Sequence, residues 1–546
     1  MKLLRYWIWL VLTIPGAEAN ARPDQEPALR ANVVLIVCDD LNDWIEPLGE
    51  HPQAHTPSLA EFARTAVTFE NAHSNNPVCA PSRASMLSGL YPHRSGNLFW
   101  APWHQNPVLA DSKTIMRYFR EHGYRVVGSG KLMHHFKRDE WDEFPHKADY
   151  GPIAWDGTQR VGHPTVAEPF RSIGPIDGSF GRLSDVPFEG REGAGWIRGG
   201  WGPISRFRYT GPEDRDLTPD ERVARWASRR IERFSEEDGE PFFMGIGFIR
   251  PHTPMYAPDR FFDLFPIDDI QLSIAGGEPS AYLAHVLPDQ KGRRYHRLIA
   301  EAYGSERAGL ARFAQAYLAS TAFVDEQIGV VLDALERTGL DENTIVIITS
   351  DHGFVIGEQH YLFKNAPWDA STRVPLLIRA PGVSKAGARS MAPVGLIDLY
   401  PTLIDLCGLT GDTRSGPRGR PLDGHSLRPL LTNPEAEDPA RPPAVLTMVH
   451  AEEDASRPLD AQQANDPAYQ HWSIRTADYR YIRYNSGAVE LFDLTAHRGN
   501  SENLARHPEH QATLVNLDAM LRGMAEPIGL QPLDVRVPAP RSSTTK

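Results

Sequence analysis

Four apolar runs constrain the fold of this chain more than any other feature, because each of them ends in polar side chains. The runs are NVVLIVCDD (32–40), YRVVGSGK (124–131), PFFMGIGFIRPH (241–252) and TIVIITSDHG (344–353). Continuous runs of this kind are typical of strands buried on both faces of a parallel sheet. Helical patterns lie between them, the clearest at 312–338 before Gly339. We therefore predict an α/β fold with a large, mainly parallel sheet flanked by helices.

The polar residues that end these runs are expected to meet in one cleft, because ligands of open α/β sheets bind beyond the carboxyl ends of the strands. These residues are Asp39, Asp40, Lys131, His252, Asp351 and His352. Oxygen ligands from two converging strand ends suit Ca²⁺ or Mg²⁺. Adjacent buried carboxylates also repel each other unless a cation offsets them. For either pair alone, an ordinary role as helix caps or solvent-facing carboxylates stays open.

Basic side chains accompany the carboxylates. They are Arg83, Lys131, His134, His252 and Lys364. A divalent cation together with several Lys, Arg and His residues suits a tetrahedral oxyanion, either sulfate or phosphate. The net charge of −13 argues against nucleic acid as a partner.

Cys79 has unusual neighbours for one of only three cysteines. It lies in NPVCAPSRASMLSGLYPHRSG (76–96), two residues before Pro81 and four before Arg83. Cys38 and Cys407 lie in apolar surroundings and are interpreted as buried thiols. A structural thiol needs no Pro-Ser-Arg sequence after it, so Cys79 is a candidate for chemistry.

The motif CAPSRASMLSG resembles the signature of the type I sulfatases, a family of the alkaline phosphatase superfamily. DDLND, GKLMHHF, FIRPHTP and SDHGFVIGEQHYLFK occur in the matching order around it. The whole set is most similar to the iduronate-2-sulfatase branch. The resemblance covers roughly residues 32–382 and resumes more weakly in the C-terminal part.

The resemblance implies that a dedicated maturation enzyme oxidises Cys79 to formylglycine (3-oxoalanine). One hydroxyl of the hydrated aldehyde would attack sulfur, and the other would lose its proton as sulfate leaves. One Ca²⁺ ion would be held, together with the oxygen at position 79, by Asp39, Asp40, Asp351 and His352. Many family members have Asp-Asn where this chain has Asp351-His352, so whether His352 binds the metal or orients a neighbour stays open.

The same resemblance implies roles for the basic residues. Arg83 and Lys131 would stabilise the hydrate and the charge on the sulfate oxygens. His134 would accept the hydroxyl proton, and His252 and Lys364 would hold the sulfate ester and help to protonate the leaving oxygen.

Substrate contacts are expected from aromatic and cationic residues near these motifs. The candidates are Phe354, Gln359 and Trp368, and Trp196, Arg198, Trp201 and Arg206 in a Gly-, Arg- and Trp-rich segment (150–219). This segment is expected to be a long excursion over the site. Aromatic rings stack on sugars, and arginines pair with carboxylates or sulfates. Ordinary packing and solvated charge remain the alternative for each residue.

The organisation of the chain follows from its composition. Residues 1–21 are typical of a cleaved export signal, with a membrane anchor as the alternative, and we expect no stable anchor. We predict a catalytic domain at 22–431, a Pro- and acid-rich linker at 432–443, and a smaller C-terminal α+β subdomain with antiparallel strands at 444–546. Few cysteines fit a bacterial periplasmic or secreted protein.

The predicted function is that of an exported sulfatase. Its substrate would be a sulfated saccharide, either a uronate-containing glycosaminoglycan or an algal polysaccharide fragment, and its other partner the maturation enzyme. A phosphate or phosphonate monoester hydrolase of the same superfamily is one alternative. A non-catalytic glycan-binding relative is the other.

Overall fold

The computed structural model describes residues 30–199, 203–237, 239–272, 290–451, 459–495 and 502–533. Its strands are β1 (Asn32–Asp39), β2 (Val67–Phe69), β3 (Ala72–His73), β4 (Arg125–Gly130), β5 (Ile153–Trp155), β6 (Phe180–Arg182), β7 (Gly195–Ile197), β8 (Tyr209–Gly211), β9 (Asp214–Arg215), β10 (Phe242–Pro251), β11 (Met255–Ala257), β12 (Thr344–Ser350), β13 (Val355–Ile356), β14 (Leu362–Phe363), β15 (Leu376–Arg379), β16 (Arg389–Ser390), β17 (Val394–Gly395), β18 (Val445–Val449), β19 (His471–Arg475), β20 (Tyr479–Arg483) and β21 (Val489–Asp493). Its helices are α1 (Pro57–Ala63), α2 (Cys79–Ser88), α3 (Pro92–Ser95), α4 (Pro107–Ala110), α5 (Ile115–Glu121), α6 (Pro219–Glu236), α7 (Asp259–Asp263), α8 (Lys291–Ala302), α9 (Glu306–Thr338), α10 (Asp369–Thr372), α11 (Leu399–Leu406), α12 (Arg428–Thr432), α13 (Ala461–Ala464) and α14 (Gln511–Met524).

The central sheet has seven strands in the order β16-β2-β15-β12-β1-β10-β4. Strand β1 pairs in parallel with β12 on one side and with β10 on the other, and β10 pairs in parallel with β4. These four neighbours are the four apolar runs of the sequence. Strand β15 runs antiparallel to β12 and β2, whereas β16 is parallel to β2. The sheet is therefore mixed but mainly parallel, which confirms the predicted fold class.

Helices cover both faces of this sheet, which explains why its strands are continuously apolar. Alternate side chains of β1 point to opposite faces. Val33 and Leu35 pack in a cluster that includes residues of α2 and α5. Val34 and Ile36 pack in another that includes residues of α6 and α9.

The long helix α9 begins six residues before the predicted start at 312. The Ser305 side chain accepts a hydrogen bond from the backbone N–H of Ala308 and so caps the helix. The helix ends at Gly339, whose φ of 70° is the left-handed conformation expected of a terminating glycine.

The C-terminal sheet is antiparallel throughout, in the order β18-β19-β20-β21. Helix α14 packs against it. This confirms the predicted antiparallel subdomain, while the boundaries at 22–431, 432–443 and 444–546 stay predictions. Asp369 joins the two parts of the chain, since it accepts hydrogen bonds from Arg475 and Arg480.

The predicted export signal at 1–21 lies outside the described residues. Among the residues that are described, no helix combines the length and the apolar character needed to cross a membrane. Cys38 is a buried free thiol, as predicted, and Cys407 is a half-buried one.

Candidate active site

Two neighbouring strands bring the predicted carboxylates together. Cys38 of β1 pairs with Ser350 of β12, so Asp39 and Asp351 follow side by side. Asp40 has a φ of 63°, a left-handed conformation that is uncommon for a residue with a side chain. Its backbone N–H donates to Asp351 Oδ1 (3.2 Å), and its carbonyl accepts from the Tyr317 hydroxyl (2.7 Å). These tertiary bonds stabilise the turn that presents both aspartates.

Lys131 directly follows strand β4 and lies against the same carboxylates. The Lys131 ammonium donates to Asp39 Oδ2 and lies 5.0 Å from the centre of the Tyr150 ring. This placement requires a glycine on the neighbouring strand β10. A Cβ atom at Gly247 would lie 2.0 Å from the carbonyl carbon of Lys131.

Cys79 is the first residue of helix α2, so its side chain lies where the positive end of the helix dipole favours a negative charge. The Lys364 ammonium is 3.1 Å from Cys79 Sγ, and His352 Nε2 is 3.2 Å from it. Burial raises the pKa of the Cys79 thiol, but Lys131, Lys364 and His352 outweigh this effect and hold the pKa well below its ordinary value. Position 79 is thus built to carry negative charge.

Arg83 lies one turn further along α2 and is 1% exposed. Its Nε donates to Asp351 Oδ2 (2.8 Å), its Nη2 to Asp39 Oδ1 (3.0 Å), and its Nη1 to the carbonyls of Lys131 and Leu132. All of its nitrogens are therefore engaged with the protein. Arg83 is placed to orient the carboxylates rather than to contact a substrate.

The buried charges shift one another's pKa values. Burial raises the pKa of Asp39, but the opposing effects of Lys131 and Arg83 leave it below the ordinary value. Burial raises the pKa of Asp351 to about 6 despite the nearby Arg83 and His352. Burial alone would lower the pKa of His352, and Asp351 and Cys79 instead raise it to about 9.

The donor set fits a divalent cation. Asp39, Asp40, Cys79 and His352 each offer one atom, and these atoms lie within 4.8 Å of one another. Carboxylate oxygens suit Ca²⁺ or Mg²⁺. Asp351 is not in this group but adjoins it, since its Oδ2 lies 3.6 Å from His352 Nε2 and accepts from Arg83, while its Oδ1 accepts the N–H of Asp40 and of His352.

His134 and His252 occupy the rim of the site. His134 lines the same cavity as Cys79, and burial lowers its pKa while the neighbouring Cys79 opposes part of this effect. His252 Nε2 lies 3.7 Å from Asp40 Oδ2, while its Nδ1 contacts the Thr253 carbonyl. The Thr253 hydroxyl in turn donates to Asp177 Oδ1 (3.0 Å).

A cavity of about 470 Å³ opens onto these groups. Cys79, Lys131, His134 and His252 line it, so the structure brings these predicted residues to one space. Sequence reasoning missed other residues of its wall, namely Trp100, Lys147, Tyr150 and Ile176. The last two belong to the predicted excursion at 150–219. No motif marked any of the four.

The predicted substrate contacts need correction. Trp196 is 2% exposed, packs against His163 and Tyr256, and donates its indole N–H to the Leu183 carbonyl. Phe354 is also buried, in a cluster with Phe313. Neither side chain lines the cavity, because both supply apolar packing.

The other substrate candidates are likewise held by the protein. Trp368 is 2% exposed and packs edge-on against Tyr361. Arg198 pairs with Asp216 (3.0 Å), and Arg206 donates to backbone carbonyls of its own loop. Gln359 lies in a turn away from the cavity wall, and position 201 falls outside the described residues.

Known proteins resemble this chain over most of its length. A family model for sulfatases matches residues 31–409. A sulfatase of Formosa agariphila is 28% identical over 530 residues, covering 95% of this chain and 91% of its own. The iduronate 2-sulfatase of Homo sapiens is 27% identical over 531 residues, covering 87% and 89%.

Among solved structures, the phosphonate monoester hydrolase SpPMH from Silicibacter pomeroyi aligns with a TM-score of 0.67 at 24% identity. The alignment covers 90% of this chain and 95% of that chain. At this identity the likeness shows a shared fold. The family match instead spans the signature around Cys79 and both carboxylate pairs. This protein belongs to the sulfatase family and is a sulfuric ester hydrolase.

Proposed function

We propose that this sulfatase removes sulfate from a sulfated saccharide, with Cys79 matured to formylglycine and one Ca²⁺ ion in the site. The observation that carries the proposal is the surrounding of Cys79. Its sulfur lies at a helix N-terminus, within 3.2 Å of Lys364 and His352, and lines the cavity.

The formylglycine and the Ca²⁺ ion would supply the nucleophile and the strongest positive charge of the reaction. A formylglycine at position 79 supplies a hydrated aldehyde as nucleophile. A bound Ca²⁺ would supply positive charge that favours the sulfate group. Asp39, Asp40, Asp351 and His352 are the residues that would hold the ion, with Arg83 orienting the carboxylates.

The remaining steps are proton transfers and charge stabilisation by this chain. His134 lines the cavity together with residue 79 and is the base that would accept its hydroxyl proton. Lys131 lines the cavity and Lys364 lies beside residue 79, so their positive charges favour the sulfate group, and His252 adds an imidazole to the cavity wall. The contact of His252 Nδ1 with the Thr253 carbonyl leaves Nε2 on the side of the carboxylates, 3.7 Å from Asp40 Oδ2.

The cavity wall supports a charged saccharide as substrate. Trp100 and Tyr150 present aromatic rings that suit stacking on sugars. Lys147 adds a cation that suits a uronate or a further sulfate. We infer a uronate-containing glycosaminoglycan or an algal polysaccharide fragment.

The test is a comparison of substrates with protein co-expressed with a formylglycine-generating maturation enzyme. Sulfated di- and oligosaccharides, including 2-O-sulfated uronates and algal glycans, are assayed beside an aryl phosphate and a phosphonate monoester. We expect turnover of at least one sulfated saccharide and an aldehyde at position 79 by peptide mass spectrometry. Faster turnover of the phosphonate ester would favour the alternative hydrolase.

The matched control is Cys79→Ala, which keeps helix α2 but removes the group to be matured. We expect this variant to lose turnover and keep the unfolding midpoint of the parent within a few degrees. Active protein that carries only a free thiol at position 79 would contradict the mechanism. Export is inferred as well, and amino-terminal sequencing of protein recovered outside the cytoplasm tests it.

A further inference from the structure

A second cluster of metal-ligand side chains lies outside the candidate active site. His296 belongs to helix α8, Glu306 is the first residue of α9, and His360 lies in the turn between β13 and β14. His296 Nε2 is 3.1 Å from Glu306 Oε1, and His360 Nδ1 is 3.2 Å from the same oxygen. The three atoms lie within 4.8 Å of one another. Residues far apart in the chain thus converge on one point.

The separations match the requirement of a small tetrahedral ion. Bonds of about 2.0–2.2 Å at tetrahedral angles place neighbouring ligand atoms about 3.3–3.6 Å apart. Two of the observed separations fall within a few tenths of an ångström of that range. A set of two imidazoles and one carboxylate suits Zn²⁺, whereas Ca²⁺ takes six to eight oxygen ligands.

The cluster is buried on the side of His296 and exposed to solvent on the side of Glu306 and His360. The His296 side chain is 9% exposed, so packing fixes its direction. The side chains of Glu306 and His360 are 35% and 38% exposed, which allows an ion to enter and water to take the fourth position.

We propose that His296, Glu306 and His360 form a Zn²⁺ site that clamps the turn before β14 to helices α8 and α9. The turn has two consecutive residues in the left-handed region, Gln359 (φ 55°) and His360 (φ 50°). Such conformations are strained for residues with side chains, and a metal bond at His360 would offset part of that strain.

The clamp has a structural link to the candidate active site. Tyr361, the residue after His360, donates its hydroxyl proton to the Lys364 carbonyl (3.0 Å). Its ring packs against Gly292 of α8, where a Cβ atom would approach it to 2.2 Å. An ion bound to both His360 and His296 would therefore fix the turn that precedes Tyr361 against helix α8, which carries Gly292. The proposed zinc site does not depend on the sulfatase reaction proposed for Cys79.

Zinc binding by the untagged full chain tests this proposal. The protein is stripped of metal, saturated with Ca²⁺ so that the oxygen-rich site is filled, and dialysed against Zn²⁺, and bound zinc is measured by plasma mass spectrometry. The variants are His360→Ala and Glu306→Gln, both at partly exposed positions. The matched control is His507→Ala, because His507 is 39% exposed and also lies near carboxylates, 3.4 Å from Glu502.

We expect the parent and the His507 variant to bind one more equivalent of zinc than the His360 and Glu306 variants. Loss of an outer-shell partner alone weakens metal affinity about 10–100-fold, so loss of a ligand should weaken it at least as much. Zinc should also raise the unfolding midpoint of the parent but not that of His360→Ala. Equal zinc binding by the parent and His360→Ala, or an equal loss in His507→Ala, would overturn the proposal.

Discussion

Replacement of Arg83 by methionine tests the inference that this guanidinium holds the carboxylates of the site in place. Methionine keeps the unbranched apolar stem but removes every donor. Asp39 and Asp351 are both fully buried and would lose the cation that bridges them. Within the described part of the chain, the ion pair of Lys131 is with Asp39 and not with Asp351, so Lys131 cannot take over the contact to Asp351.

The expected loss of stability follows from these contacts. Two hydrogen bonds to buried charged groups contribute about 1.5–3 kcal/mol each. Breaking a buried ion pair by removing one partner costs about 3–5 kcal/mol. These two estimates describe the same contacts and are therefore not added. We predict that Arg83→Met lowers the free energy of unfolding by about 3–5 kcal/mol. For a chain of this size, that corresponds to a urea midpoint lower by on the order of 1 M.

The control is Arg260→Met, because Arg260 also makes two hydrogen bonds to one carboxylate, at 2.6 and 2.7 Å from Glu326. That pair is on the surface, with side-chain exposures of 61% and 43%. A surface pair contributes about 0–1 kcal/mol. Urea denaturation of both variants with chelator present, followed by fluorescence, measures the difference. Equal midpoints for the two variants would refute the reasoning from burial.

Two further predictions concern the support of the site and its pH dependence. Gly247→Ala should displace Lys131 and lower the free energy of unfolding by about 3 kcal/mol or more. The control is Gly523→Ala, at a helical position with open space around it, which should raise the free energy of unfolding by up to about 1 kcal/mol. Denaturation midpoints that shift in the same direction in both variants would contradict the steric argument. Burial raises the pKa of Asp325, which accepts the backbone N–H of Ser58, to about 6 in the folded state. The folded chain then binds this proton more tightly than the unfolded one, so stability falls by roughly 2 kcal/mol as pH rises from about 4 to about 6. Asp325→Asn should lack this fall, and parallel stability curves for parent and variant between these pH values would argue against it.

The elements that sequence reasoning found share a local signal. A strand buried on both faces must be apolar throughout, so its end is marked by the first polar residue. The sequence therefore predicts Asp39, Lys131, His252 and Asp351 as residues at strand ends. Parallel strands place such ends at one edge, and the order β12-β1-β10-β4 brings them together.

The errors arose where burial, rather than residue type, decides the role. A tryptophan in a Gly-rich loop has the same local pattern whether it stacks on a sugar or packs inside, and Trp196 does the latter. The contacts of Arg83 with carboxylates that lie 44 and 268 residues away in the chain are likewise visible only in the folded protein. Contacts between residues so far apart in the chain have no characteristic sequence spacing, so the sequence does not predict them.

The amino-acid sequence by itself determined the α/β class, the family, and the residues around Cys79, because apolar periodicity and a contiguous motif are local properties. Only the tertiary structure decided which atoms face the cavity. It placed Trp100 and Tyr150 on the wall, turned Phe354 inward, and joined His296, Glu306 and His360 at one point. The physical reason is that exposure and charge pairing depend on contacts between distant segments, and these exist only when the chain is folded.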